Sequence, residues 1–220
     1  MPNFNPQLLW ERHVQCVLLV LGKALENLAA CNDLPSKEIE LDERLILEVR
    51  KSYIESPFGE KPMTIASLSR QAVNEPLESD DLCHEWIRKK PDFKWRLENP
   101  DASSEAELIL DLDIESKRLG CPKKYTQQGI RRFISPQHRY GNGVSDGMMV
   151  GYLQTCEMED LVKQVNDEVT KEFSGDASSI VFAFLPSQKV HKASQNVKRV
   201  QIVPIDFNLY HLWVDLVSRN

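Results

Sequence analysis

The chain has 220 residues, with 33 acidic against 27 basic side chains and a formal net charge of −6. No run of eighteen apolar residues is present to span a bilayer, and five cysteines, an odd number never spaced C-x-x-C, argue against a disulfide framework and against zinc, as in a reduced cytoplasmic setting. The length suits one compact α/β domain, with a helical part over 1–80, a core over 91–155, and a helix, strands and tail over 156–220.

Glu11, Arg12, Lys23 and Glu26 punctuate an apolar stretch with helical spacing, which predicts a first amphipathic helix over 8–30, not a signal peptide. A second helix is predicted over 41–54, begun near Asp42 and closed before Pro57-Phe58-Gly59. Pro57, Gly59, Pro62 and Pro76 then make 55–78 a long connection around a short helix at 64–72.

Two alternating runs come next. In 110–117 the side chains alternate, so that Asp111, Asp113, Glu115 and Lys117 share one face and Leu110, Leu112 and Ile114 the other. Residues 92–97 alternate too, and the turn formers of 98–104 separate the runs, which predicts an antiparallel hairpin. With its centre between residues 103 and 104, Asp92 stands opposite Glu115, where facing Cβ atoms are roughly 4.5–5.5 Å apart. Two carboxylates so placed can share a divalent cation. A hard cation such as Mg²⁺, with Mn²⁺ as a substitute, takes oxygen ligands and keeps waters, one of which can attack. Asp92, Glu115 and the Ser116 carbonyl are the candidate ligands, and Lys117 would orient the attacking water or offset charge on a phosphate. Pro100-Asp101 offers a competing acid, but Asp101 sits in the predicted turn whereas Asp92 begins a strand.

Pro91-Asp92, a spacer, then Glu115-Ser116-Lys117 resembles the PD-(D/E)xK nuclease superfamily, whose fold is similar to restriction endonucleases. The resemblance implies a three-layer α/β/α core with a mixed central sheet, in which the Glu-x-Lys strand leads into a helix and another strand. Residues 125–134 are helix-like and 147–153 read as a buried strand. Tyr125, Gly129-Ile130, Arg132-Phe133 and the 147–153 strand are also similar to nuclease-like proteins of bacterial anti-phage defence systems. The activity implied is Mg²⁺-dependent hydrolysis of DNA phosphodiester bonds, by a homodimer or with separately encoded defence subunits. Related nucleases bring an acid from an early helix to the metal, for which Glu43 is the candidate here, with Glu48 behind it. A nuclease-like fold serving as a non-catalytic nucleic-acid-binding or assembly subunit is the alternative expectation.

Charge is unevenly spread. No Asp or Glu occurs from Lys117 through Ser145, where Arg118, Lys123, Lys124, Arg131, Arg132 and Arg139 lie, nor from Lys189 through Ile205, which holds Lys189 and Lys192. These residues are candidates for contact with a DNA backbone. Gly141-Asn142-Gly143 reads as a turn, 157–173 as a charged amphipathic helix, and 180–185 and 200–205 as apolar runs around a polar segment carrying His191. The tail, 207–216, is apolar enough to dock on the core or on a partner.

Overall fold

The computed structural model describes residues 6–56, 67–70, 90–98, 109–154, 158–182 and 188–217. Its first two elements are helices α1 (Pro6–Ala29) and α2 (Glu38–Glu55), packed against each other. Trp10, Val14, Val17, Leu21, Ala24 and Leu28 recur every three or four residues and are all buried, so one face of α1 is committed to the core. The second helix begins one turn earlier than the sequence suggests. Glu38 and Glu40 occupy its first turn, where the helix dipole favours acids. No helix among the described residues is long and apolar enough to cross a membrane.

Among the described residues, six strands form one mixed sheet: β1 (Ser67–Arg70), β2 (Phe93–Glu98), β3 (Ile109–Arg118), β4 (Asp146–Leu153), β5 (Val190–Lys198) and β6 (Asp206–Asp215), in the order β1-β2-β3-β4-β6-β5. The pairs β1–β2 and β2–β3 are antiparallel; β4 is parallel to both β3 and β6, and β5 closes the far edge antiparallel to β6. The short helix expected over 64–72 is replaced in part by β1. Residues 67–70 pair backbone to backbone with β2, and these ladder bonds override local helical tendency. The rest of the expected 55–78 connection beyond Ser56, the 98–104 turn beyond Glu98, and Asp101 lie outside the described residues.

Helices cover both faces of the sheet. Residues of α1 and α2 pack on Phe93, Trp95, Leu112, Ile114, Met148, Val150, Tyr152 and Leu212. The opposite face carries Met149, Leu153, Leu209 and Trp213 beneath three short helical pieces and a longer helix, α5 (Met158–Phe173). The short pieces occupy the expected helix: α3 (Pro122–Tyr125), a π-helical turn (Thr126–Ile130) and α4 (Arg131–Ile134). A π turn adds a residue to a helical turn and so re-aims the side chains beyond it, here Arg132 and Phe133. Close approach of this layer depends on Gly147, where an added Cβ would stand 2.6 Å from Phe133 Cε1 and 2.8 Å from Phe207 Cζ. Gly147→Ala is expected to destabilise the fold by about 1–3 kcal/mol in urea denaturation, since two rings in a packed core must move.

The tail docks on the core by becoming β6, an interior strand whose side chains tie both faces. Trp213 Nε1 donates to Tyr125 Oη at 2.8 Å, Tyr125 Oη lies 2.8 Å from His211 Nδ1, and His211 Nε2 lies 3.2 Å from Gln195 Oε1. Gln195 Nε2 donates to the Ser178 carbonyl, so its Oε1 is an acceptor and His211 is neutral with its proton on Nε2. Burial holds His211 down, to about 3. Below pH 6.5 the unfolded chain therefore takes up a proton at His211 that the folded protein refuses, and stability falls as pH falls. Between pH 7 and pH 5 the wild type should lose about 2 kcal/mol more than His211→Gln, read by urea denaturation at both values; other titrating groups are common to both proteins and cancel.

The 200–205 run is a connection that exposes Val200, Val203 and Ile205 and buries Ile202, while the polar segment before it supplies β5. Buried Arg199 secures that connection by donating from Nε to the Pro204 carbonyl and from Nη1 to those of Tyr140 and Gly141.

Candidate active site

The predicted hairpin register is the observed one. Phe93 pairs with Ile114, Lys94 with Asp113, Trp95 with Leu112 and Arg96 with Asp111. One step further along this register sets Asp92 across from Glu115. The charged face of the hairpin is thus a ladder of three rungs, Arg96 with Asp111, Lys94 with Asp113, and Asp92 with Glu115. The first two join opposite charges: Arg96 Nε is 3.0 Å from Asp111 Oδ1, and Lys94 Nζ is 3.3 Å from Asp111 Oδ2 and 3.7 Å from Asp113 Oδ1. Asp113 is also held by the Gly141 backbone N–H at 2.8 Å, which ties the hairpin to the Gly141-Asn142-Gly143 turn. The third rung faces acid with acid. Like charges directly opposed on a sheet are destabilising unless something neutralises them.

This face is not the solvated surface that its composition would allow. Asp113, Glu115 and Lys117 are buried; the π turn and α3 lie against β3, and Arg132 of α4 reaches Glu115. Burial separates the rungs chemically. Although desolvation pushes the other way, hydrogen bonds and charge from Arg96 and Lys94 hold Asp111 below the usual carboxylate range. Burial and then the nearby Asp92 push Glu115 up to about 8, against the pull of Lys117 and Arg132.

Two cations answer the third rung. Lys117 Nζ stands 2.5 Å from Glu115 Oε1, 2.5 Å from the Ser116 carbonyl, 3.2 Å from Asp92 Oδ2 and 3.4 Å from Glu38 Oε1. Burial opposes charge on this lysine, but the Glu115, Asp92 and Glu38 carboxylates raise its pKa. Arg132 Nη1 donates to the same Glu115 Oε1 at 2.5 Å, and its guanidinium lies 6.0 Å from the centre of the Tyr140 ring. Asp92 Oδ2 is fixed further by the Ser116 backbone N–H at 2.9 Å and the Ser116 hydroxyl at 3.1 Å. Glu115 is 0 % exposed and its second oxygen, Oε2, is buried with no hydrogen-bond partner. Asp92, Glu115, Ser116 and Lys117, the set expected from sequence, therefore meet at one point near the C-terminal end of β3, the end at which parallel strands commonly present their sites.

The early-helix acid is a different one from that expected. Glu43 is exposed on α2, and Glu48 is buried against Lys51 at 2.8 Å. Instead the extra first turn of α2 brings Glu38, and one turn later Asp42, to the site. Glu38 Oε2 accepts the Arg118 backbone N–H at 2.9 Å. Asp42 accepts from Tyr152 Oη at 2.8 Å, and burial pushes it up to about 6 against hydrogen bonds from Ser116 and Tyr152. Ser116 has a single hydroxyl proton within reach of both Asp42 and Asp92, and the explicit bond is to Asp92. The i, i+4 spacing of Glu38 and Asp42 was visible in sequence, but the helix start that aims it was not.

The basic candidates do not form one surface. Arg118 ends β3 and Lys123 and Lys124 lie in α3, all three exposed; the Arg118 guanidinium donates to the Ser36 carbonyl at 3.0 Å. Arg132 turns inward to Glu115, and Arg131 pairs with Glu172 of α5. Arg139 is half-buried in a left-handed turn conformation. Lys189 and Lys192 lie on or next to β5 at the far edge of the sheet, Lys189 with Asp215 at 3.4 Å and Lys192 against Gly22 of α1.

Carboxylate and carbonyl oxygens are the donors that Mg²⁺ and Mn²⁺ take, and Glu115 Oε2 is an oxygen without a hydrogen-bond partner. The oxygens are spread around an ammonium at 2.5–3.4 Å and not drawn in to the 2.0–2.1 Å of Mg²⁺. Accordingly, among the described residues no three His, Cys, Asp or Glu side chains stand at metal-holding distance. Comparison with protein-family models, with curated proteins and with solved structures returns no match to this chain.

Proposed function

We propose that the chain is a divalent-cation-dependent DNA endonuclease of the PD-(D/E)xK kind, with Asp92, Glu115 and Lys117 as its central residues. One observation carries this reading: Asp92, Glu115, the Ser116 carbonyl and Lys117 converge at one point of the hairpin, where two acids stand together. Two acids gathered at one point and held there by Lys117 and Arg132 are expected where chemistry needs them. The chain path supports the same reading, since a hairpin, a helical crossover and a strand parallel to β3 come in the order that the family resemblance implies.

In this reading Asp92, Glu115 and the Ser116 carbonyl hold the cation, with Glu38 from α2 as a further oxygen. The bound ion would supply an activated water and charge neutralisation at the scissile phosphate. Arg132 fixes Glu115 in place through Oε1. Lys117 brings positive charge to the phosphate or to the attacking water, and Ser116 locks the orientation of Asp92. Arg118, Lys123 and Lys124, exposed at the end of β3 and in α3, would meet a sugar-phosphate backbone.

Incubation of supercoiled plasmid with the purified protein and Mg²⁺ or Mn²⁺ tests this. Nicked and linear forms are expected with either ion and none in the presence of a chelator. A second reading, a nuclease-like nucleic-acid-binding or assembly subunit without catalysis, draws on the neutralisation of Glu115 by both Lys117 and Arg132; DNA retained in a gel shift without any metal-dependent cutting is its expected result.

A further inference from the structure

The third rung poses a question of occupancy. A lysine ammonium has three N–H donors, yet Lys117 Nζ is surrounded by four oxygens, from Ser116, Glu115, Asp92 and Glu38. They come from three separate parts of the chain: the residue before β2, the end of β3 and the first turn of α2. An exposed salt bridge does not need such convergence; a single carboxylate would satisfy it. Convergence of carboxylate and carbonyl oxygens on one point from several elements is how proteins hold hard divalent cations. Glu115 Oε2, buried and unpartnered beside that point, shows that the ammonium does not exhaust the ligand capacity.

We propose that the Lys117 ammonium is the resident occupant of this cation site, and that Mg²⁺ or Mn²⁺ binds by displacing it. The inference rests on reading the cluster as a cation site and adds that Lys117 competes with the metal for its ligands. The oxygens are spaced for N–H···O bonds, so metal entry requires them to close in as the lysine leaves. The displaced ammonium stays tethered next to Ser116, free to meet an anionic group that arrives with the cation. The protein thereby keeps its acid pair neutralised before metal arrives, which reconciles a pair whose Glu115 is fully buried with a stable fold.

Titration of the metal-free protein with Mn²⁺, with bound and free ion separated by electron paramagnetic resonance, tests this without any reading of activity. Asp92→Asn should bind Mn²⁺ at least about tenfold more weakly than wild type, because a ligand is lost. Lys117→Met, which removes the ammonium and keeps an unbranched chain of similar length, should bind at least about tenfold more tightly, because nothing has to be displaced. Equal or weaker binding by a folded Lys117→Met protein would overturn the displacement, as would an absence of Mn²⁺ binding in all three proteins. Should Lys117→Met not fold, the wild type decides the matter by lysine ¹⁵N–¹H₃ spectroscopy. A protected ammonium resonance should be present without metal and should shift or vanish on saturation with Mg²⁺; a resonance unmoved at saturation overturns the proposal. Failure of the nuclease reading looks different: Mn²⁺ binding keeps the expected order while plasmid remains intact.

Discussion

Asp92→Asn and Glu115→Gln should each lower the rate of metal-dependent plasmid nicking by at least about 10²–10³-fold while the protein stays folded, and Lys117→Ala should do the same. Each substitution removes one charge at the point where the oxygens converge, yet the amides keep the shape and most hydrogen-bonding capacity of the acids. Asp92 still has the Ser116 N–H and hydroxyl to hold an amide oxygen in its place. Glu115→Gln relieves the cost of a carboxylate with no exposure but takes a counter-charge from Lys117 and Arg132, so its folding is checked beside its cleavage. Circular dichroism and initial nicking rates measured on the same preparations are the check. Retained cleavage in any of the three variants would remove that residue from the chemistry.

The second rung should behave in the opposite manner. Lys94 is 4 % exposed and lies between Asp111 and Asp113, the latter raised in pKa by its burial. Lys94→Met leaves Asp113 buried without a counter-charge and should destabilise the protein by about 3–5 kcal/mol in urea denaturation. Adding Asp113→Asn should recover most of that loss, because the amide oxygen still accepts the Gly141 N–H and no charge remains to be solvated. A double variant no more stable than Lys94→Met would show that the rung works through packing and not through charge.

Much of the site is legible without the fold. Strict alternation over 110–117 and 92–97 places the acids and Lys117 on one face, and the turn formers between them fix a register that the β2–β3 pairing reproduces residue for residue. What alternation cannot show is what covers that face. The same pattern suits an exposed strand, and only the crossover through α3, the π turn and α4 decides that Asp113 and Glu115 are buried. Arg132 reads in sequence as one of a run of basic residues suited to DNA, but the helical phase set by the π turn delivers it to Glu115. Glu38 escapes sequence reasoning for a similar reason. Helix boundaries are the least determined feature of a sequence, and one added turn at the start of α2 changes which acid reaches Lys117. Residues 67–70 show non-local pairing prevailing over local pattern, and the tail becomes an interior strand because its apolar run can be buried on both faces between β4 and β5.

The most direct comparison sets three proteins side by side on supercoiled plasmid with Mn²⁺, at a temperature where all are folded: wild type, Lys117→Ala, and the Lys94→Met/Asp113→Asn pair. If the third rung is the catalytic one and the second is structural, the wild type and the double variant both cut, at rates within about one order of magnitude, and Lys117→Ala does not. An uncut plasmid with the wild type, or equal cutting by Lys117→Ala, would contradict the assignment of this site.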